Sequence, residues 1–78
     1  MEKVFLKIVA EFNTSGEIKP LKIIWEDGRN FEIDRVMYIN NCVNIEDGGV
    51  GISYVCRVRN KIVKIFLEDN KWFLNRTQ

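Results

Sequence analysis

The alternation of apolar and polar residues at a period of two constrains this chain more than any other feature of its sequence. In residues 4–12 every even position is apolar, while Lys7 and Glu11 stand at odd positions. Successive side chains of a β-strand point to opposite faces of a sheet, so this run predicts a strand with one buried face. Runs of the same kind follow along the chain, divided by turn-forming residues, and predict an antiparallel meander.

The turn chemistry and the hydrophobic pattern agree on one register for the hairpin in the middle of the N-terminal half. A two-residue loop would mix charged residues into its apolar face. A three-residue loop at residues 26–28, with its glycine in the left-handed conformation, instead pairs Ile23 with Phe31. We therefore predict the three-residue loop, with the Trp25 ring lying against the Arg29 guanidinium at its mouth.

The strand before this loop and the segment after it carry two further predictions. Pro20 lacks a backbone N–H, so we expect it to begin its strand. The third run continues to Ile39 and loses its alternation at Asn40 and Asn41. One short helical turn over residues 38–45 is the only helical structure that we expect.

Three further runs in the C-terminal part are joined by two tight turns. Positions 52, 54, 56 and 58 are apolar, and a two-residue turn at Asn60 and Lys61 would set Val58 opposite Val63. A second two-residue turn at residues 69–70 would set Leu67 opposite Trp72. Both registers leave one face apolar on all three strands.

Together these runs predict one all-β domain over residues 1–78. We expect a five- or six-stranded antiparallel meander that forms a small SH3-like barrel or roll. The 78 residues leave no room for a second domain. A domain of this size buries only about 60% of the surface that its unfolded chain exposes, so its stability is expected to be modest or to come in part from a partner subunit.

The reverse face of the C-terminal sheet is the candidate functional surface, because it combines apolar, aromatic and basic residues. Either the N-terminal strands or a second copy of the chain should cover its apolar part. Five candidate contact residues lie on this face: Arg57, Arg59, Lys64, Phe66 and Phe73. Trp25 and Arg29, at the mouth of the N-terminal hairpin, are the other two candidates.

These residues predict a non-enzymatic interaction or assembly module that self-associates or binds another protein. The alternative is a small β-barrel that binds single-stranded nucleic acid weakly. Arg57, Arg59 and Lys64 would contact phosphates, and Phe66 and Phe73 would stack on bases. A net charge of +1 favours self-association over the alternative.

No catalytic residue, metal site or cofactor is predicted. The chain has no histidine and only two cysteines, Cys42 and Cys56, whereas a zinc site normally uses four such ligands. Asp34 and Arg35 could act as an acid and a substrate clamp, but surface charge and cross-strand pairing explain them as well. We expect Cys56 to pack as a small hydrophobic residue and Cys42 to lie near a loop, both as free thiols.

The glycine-rich stretch at residues 44–51 is the longest irregular segment expected. Gly48, Gly49 and Gly51 could bring backbone N–H groups close to an anion, which gives a third hypothesis of a small-molecule or anion sensor. Glu46 and Asp47 would repel an anion, and no phosphate-binding lysine motif follows. A flexible connector therefore explains the stretch better.

The expected location is cytoplasmic. The first seven residues contain an acid and two lysines, so they do not resemble a secretory signal. No run reaches the ~18 apolar residues that a membrane-spanning helix requires. We therefore expect no membrane partner.

The segment Pro20-Leu-Lys-Ile-Ile-Trp-Glu-Asp-Gly-Arg, followed by Ile33-Asp-Arg-Val, resembles a family of short uncharacterised bacterial proteins. A glycine-containing loop, a strand like residues 52–57 and a closing pair like Trp72-Phe73 follow in the same order in that family. The resemblance covers nearly the whole chain. It implies a compact β domain and no particular activity.

Overall fold

The computed structural model describes residues 2–43 and 50–76. Seven strands lie in these ranges: β1 (Glu2–Phe12), β2 (Ile18–Ile24), β3 (Asn30–Glu32), β4 (Arg35–Val43), β5 (Val50–Val58), β6 (Lys61–Glu68) and β7 (Lys71–Arg76). The all-β class is confirmed, with seven strands in place of five or six, because the third run divides into β3 and β4. The helical turn expected at residues 38–45 is wrong up to Val43, which is strand, and its last two positions lie outside the described residues.

The strands form one antiparallel sheet in the order β3-β2-β1-β7-β6-β5-β4. The consecutive strands β3 and β4 lie at opposite edges of this sheet, although only Ile33 and Asp34 connect them. The sheet must therefore curl until its edges approach each other. The Ile33 N–H donates to the Leu21 carbonyl and the Asp34 N–H to the Arg57 carbonyl, both at 2.9 Å, so the connector ties β2 to β5. The result is a curled antiparallel sheet in the shape of a half-barrel.

The core lies on the concave inner face of the curled sheet. Ile23, Tyr54, Cys56, Val58 and Ile65 are buried there, and Val63 and Leu67 pack against them half-buried. The predicted registers place Tyr54, Cys56, Val58, Val63, Ile65 and Leu67 on one face, and all six point inward. Burial of apolar area contributes roughly 25 cal/mol per Å², so this cluster provides the main force that holds the sheet curled.

Pro20 occupies the third position of β2 and is buried. The prediction that it begins the strand is therefore wrong. The register of β1 against β2 passes from Val9 opposite Lys22 to Ala10 opposite Pro20, which leaves Leu21 as the extra residue of a β-bulge. A bulge interrupts the ladder, so a residue without an N–H is tolerated beside it.

The hairpin between β2 and β3 has the predicted register. Ile23 lies opposite Phe31, and Gly28 has a φ of +90°. The Gly28 N–H donates to the Trp25 carbonyl at 2.9 Å, and the Trp25 N–H donates to the Arg29 carbonyl at 2.8 Å. These bonds close the three-residue loop that the sequence predicts.

The hairpin between β5 and β6 turns one residue earlier than predicted. Arg59 and Asn60 are the turn residues, with φ of 48° and 63°, and Val58 lies opposite Lys61. The turn between β6 and β7 likewise places an asparagine second, at Asn70, in a left-handed conformation that asparagine tolerates. The register of β5 against β6 is therefore shifted by two residues from the prediction. Because two is an even number, the same residues of both strands still form the apolar face.

Candidate functional site

The structure divides the candidate contact residues between two places. Trp25, Arg29 and Arg59 lie at one end of the half-barrel, whereas Arg57, Lys64, Phe66 and Phe73 lie on the convex outer face. The prediction that Arg59 faces the same way as Arg57 and Lys64 is wrong. The left-handed backbone of the turn directs the Arg59 guanidinium to the opposite side, 4.7 Å from the centre of the Phe31 ring.

The first place is a cleft of about 330 Å³, the end cleft, near the turns at residues 26–28 and 59–60. Six apolar side chains line it: Ile23, Trp25, Phe31, Val58, Val63 and Leu74. Three cationic side chains complete the lining: Arg29, Arg59 and Lys61. The end cleft therefore joins an apolar interior to a basic lining.

Two guanidinium groups lie near the same aromatic ring in the end cleft. Arg29 lies 5.5 Å from the centre of the Phe31 ring, and Arg59 also packs on that ring. The Arg29 backbone N–H donates to Asp27 Oδ1 at 3.0 Å and the Arg29 Nε donates to Asp27 Oδ2 at 2.6 Å. The backbone bond, together with the side-chain bond, lowers the pKa of Asp27. Among the described contacts, the ring partner of Arg29 is therefore Phe31 and not Trp25 as expected.

The second place is a row of three phenylalanines across the outer face of β1, β7 and β6. Phe66 stacks on Phe73 with ring centres 5.2 Å apart, and Phe5 meets Phe73 edge to face at 6.0 Å. Lys3 Nζ lies 4.7 Å from the centre of the Phe73 ring, and Phe73 is only 4% exposed. The N-terminal strand thus extends the sheet beside β7 and does not fold over its outer face. Phe5, 62% exposed, is the accessible ring of the row.

Cationic side chains concentrate on the outer face. Residues directly opposite each other in an antiparallel sheet share a face, so the register assigns each charged strand residue to a side. The outer cations are Lys3, Lys7, Lys19, Lys22, Arg35, Arg57, Lys64 and Lys71, and the outer acids are Glu11, Glu32 and Glu68. Eight cations against three acids give this face a formal excess of five positive charges, which the net charge of +1 conceals.

β4 is a long edge strand; the sequence predicts its first part, up to Ile39, but not its continuation through residues 40–43 or its place at the edge of the sheet. It pairs with β5 on one side only, and no charged residue or proline occurs at positions 36–43. Met37, Tyr38 and Ile39 are 41%, 63% and 53% exposed. The other edge strand, β3, has only three residues and carries Glu32. The lack of charge at residues 36–43 was a visible signal of an unprotected edge. The loss of alternation at Asn40 and Asn41 concealed the continuation of the strand.

The structure shows where the residues considered for catalysis and metal binding lie. Cys56 is buried, and burial raises the pKa of its thiol to about 11, so it is protonated and unreactive at neutral pH. Asp34 and Arg35 are exposed, and Arg35 faces Arg57 across β4 and β5. No group of three or more Cys, Asp or Glu side chains within the described ranges could hold a metal ion.

Gly51 belongs to β5 and not to a loop. A Cβ atom at this position would lie 2.9 Å from the Leu67 carbonyl oxygen, so the glycine allows β5 and β6 to approach closely. The other glycines of the proposed anion loop, Gly48 and Gly49, lie outside the described residues.

Comparison with known proteins adds no assignment. No family model, curated protein or solved structure matches the chain. The resemblance of residues 20–36 to short bacterial proteins stays a prediction. In the part of the chain that the structure describes, no helix is long and apolar enough to cross a membrane.

Proposed function

We propose that this protein is a non-enzymatic assembly module that self-associates by pairing the β4 strands of two copies edge to edge. The observation that carries this proposal is the uncharged edge at residues 36–43, where residues 37–41 are exposed. Monomeric proteins usually protect a sheet edge with charges, proline or a covering segment, because unpaired backbone groups bind other strands. Among the described residues, β4 carries none of these charges or prolines beyond Arg35.

The register indicates which backbone groups of β4 are available. Val58 and Lys61 flank a two-residue turn and form a hydrogen-bonded pair, and such bonds alternate along each strand. The odd residues of β5 therefore bond to β4, and beyond the bulge they bond to its even residues, Tyr38, Asn40 and Cys42. Ile39 and Asn41, which follow the bulge near Met37, direct their N–H and C=O groups outward.

A second copy is the partner that this edge fits best. A two-fold axis through Asn41 sets Ile39 of each copy opposite Val43 of the other and continues the sheet antiparallel from one copy to the next. The segment paired in this arrangement, residues 39–43, contains no charged residue. Pairing also satisfies the outward backbone groups of Ile39 and Asn41.

Sedimentation equilibrium at micromolar concentration tests the proposal with two matched variants. The parent protein should form a dimer, and Ile39→Lys should shift it to monomer, because a charge at the edge opposes pairing. Ile62→Lys is the control, since Ile62 is 60% exposed on the outer face of the interior strand β6. A parent that stays monomeric, or a dimer that Ile62→Lys dissociates and Ile39→Lys does not, contradicts edge pairing.

The charge on the outer face favours a second candidate function, the binding of single-stranded nucleic acid. Phe5 and Tyr38 are exposed rings on that face beside Lys3, Arg57 and Lys64, so stacking and phosphate contacts are both available. Phe73 cannot take part in stacking because its ring is covered.

Titration with a labelled oligonucleotide at two salt concentrations tests this second function. Binding should weaken steeply with salt, because each phosphate contact releases counterions. Lys64→Glu should weaken it further, whereas Lys61→Glu, on the other side of β6, should have a smaller effect. Absent or salt-insensitive binding eliminates the candidate.

A further inference from the structure

The geometry points to a ligand site that is independent of self-association: the end cleft binds a small organic anion that has an apolar body and a carboxylate head group. Ligand sites in proteins are typically apolar clefts of ~300–1,000 Å³ that contain a few well-placed polar groups. The end cleft, at about 330 Å³, lies at the lower limit of that range.

The apolar interior selects the body of the ligand. Six of the nine lining residues are aliphatic or aromatic, and Ile23 and Val58 among them are buried core residues. A short alkyl chain or a single ring placed there would exchange water for apolar contact. Each CH₂ group buried in this way contributes about 0.8 kcal/mol.

The charge of the lining selects the head group. Arg29, Arg59 and Lys61 line the end cleft, and none of the lining residues in the described part of the chain is acidic. Asp27 neutralises Arg29 in part through the 2.6 Å bond to its Nε. Arg59 has no carboxylate partner among the described ion pairs, and its planar guanidinium suits bidentate binding of a carboxylate.

The backbone at Arg59 is a second observation that supports a ligand-binding role. Arg59 has a φ of 48°, in the left-handed region that costs an ordinary residue about 1–2 kcal/mol. Asparagine, aspartate or glycine would fit this first turn position better. The corresponding position of the next hairpin is an aspartate, Asp69. Turn formation alone therefore does not explain an arginine, whereas its guanidinium over Phe31 in the end cleft does.

Octanoate, octan-1-ol and octylammonium are the probes that test this assignment, since they share a chain and differ in the head group. Two-dimensional NMR should show saturable shifts with octanoate at the amides of Ile23, Val58 and Val63. Octan-1-ol should bind at least about tenfold more weakly, a loss of about 1.4 kcal/mol, and octylammonium should not bind. Equal affinities for all three probes, or shifts elsewhere on the molecule, would overturn the assignment.

Arg59→Asn provides the matched variant, because it removes the guanidinium while placing a residue that tolerates the left-handed turn. It should unfold in urea at the parent's midpoint or above and bind octanoate at least about tenfold more weakly. Lys61→Gln should also weaken binding, and Lys64→Gln, on the outer face, should not. Unchanged octanoate affinity in Arg59→Asn and Lys61→Gln contradicts the proposal, and dimer formation by the parent has no bearing on that outcome.

Discussion

At the scale of single residues, the Tyr54 hydroxyl shows how the interior of the half-barrel tolerates a buried polar group. The Tyr54 ring is 1% exposed, yet its hydroxyl donates to the Ile18 carbonyl at 2.8 Å and so links β5 to β2 across the interior. Burial raises the pKa of Tyr54, so the hydroxyl remains a donor at any ordinary pH. A buried hydroxyl that has a partner avoids a desolvation cost of about 1–3 kcal/mol.

The Cys56 thiol predicts a dependence of stability on alkaline pH. Its pKa is about 11 in the folded protein against an ordinary 9.0, because burial disfavours the thiolate. The unfolded chain therefore loses this proton first, so the contribution of this thiol to the free energy of unfolding should be constant below about pH 9 and fall from pH 9 towards pH 11. Urea unfolding of a Cys42→Ser protein at pH 7.5 and pH 10 measures this fall.

Cys42→Ser/Cys56→Ala is the control for that experiment. It should begin less stable, because it loses a buried side chain, but its stability should fall less over the same pH range. Equal falls in the two proteins would show that other groups, such as lysines and tyrosines, cause the whole effect.

Residue-level patterns were sufficient to predict the burial of Cys56 but not the orientation of Arg59. Alternation alone placed Cys56 on the apolar face, and it is fully buried. The orientation of Arg59 depends on which residue takes the first left-handed position of the turn, and the sequence allowed two choices. A difference of one turn residue moved this guanidinium from the outer face to the end cleft.

At the scale of secondary-structure elements, hairpins were predictable where a turn signal and a facing pattern agree. The β2–β3 and β6–β7 hairpins have the expected registers for this reason. β4 lacks alternation at Asn40 and Asn41 and is a strand because β5 pairs with it over its length. The pairing of β1 with β7 joins residues far apart in the chain, and no local signal indicates it.

Glycine substitutions distinguish two structural reasons for glycine in these elements. Gly28 needs a left-handed backbone and has open space around it, so Gly28→Asn should be close to neutral. Gly51 has no such backbone, and its obstacle is the Leu67 carbonyl at 2.9 Å, so both Gly51→Ala and Gly51→Asn should destabilise by roughly 1–3 kcal/mol. Chemical denaturation measures the changes, and a Gly51→Ala protein within about 0.5 kcal/mol of the parent would contradict the close approach of β5 and β6.

At the scale of the whole molecule, a two-residue connector between opposite sheet edges determines where partners can bind. The connector closes one end of the half-barrel through Ile33 and Asp34, while no strand within residues 2–43 and 50–76 lies beside the outer side of the rest of β4. Sequence reasoning predicted self-association but assigned it to the reverse face of the C-terminal sheet. That face proves to be strongly cationic, which opposes the approach of two like copies. The uncharged edge of β4 does not carry this penalty.

Amide hydrogen exchange at several protein concentrations tests edge pairing directly. The Ile39 and Asn41 N–H groups point away from β5, so they should exchange rapidly in dilute protein and become protected as the concentration rises through the dimerisation range. The amides of β3, at the other edge, should exchange at the same rate throughout. Fast exchange of Ile39 and Asn41 at every concentration, in a protein that sediments as a dimer, would show that the copies associate through another surface.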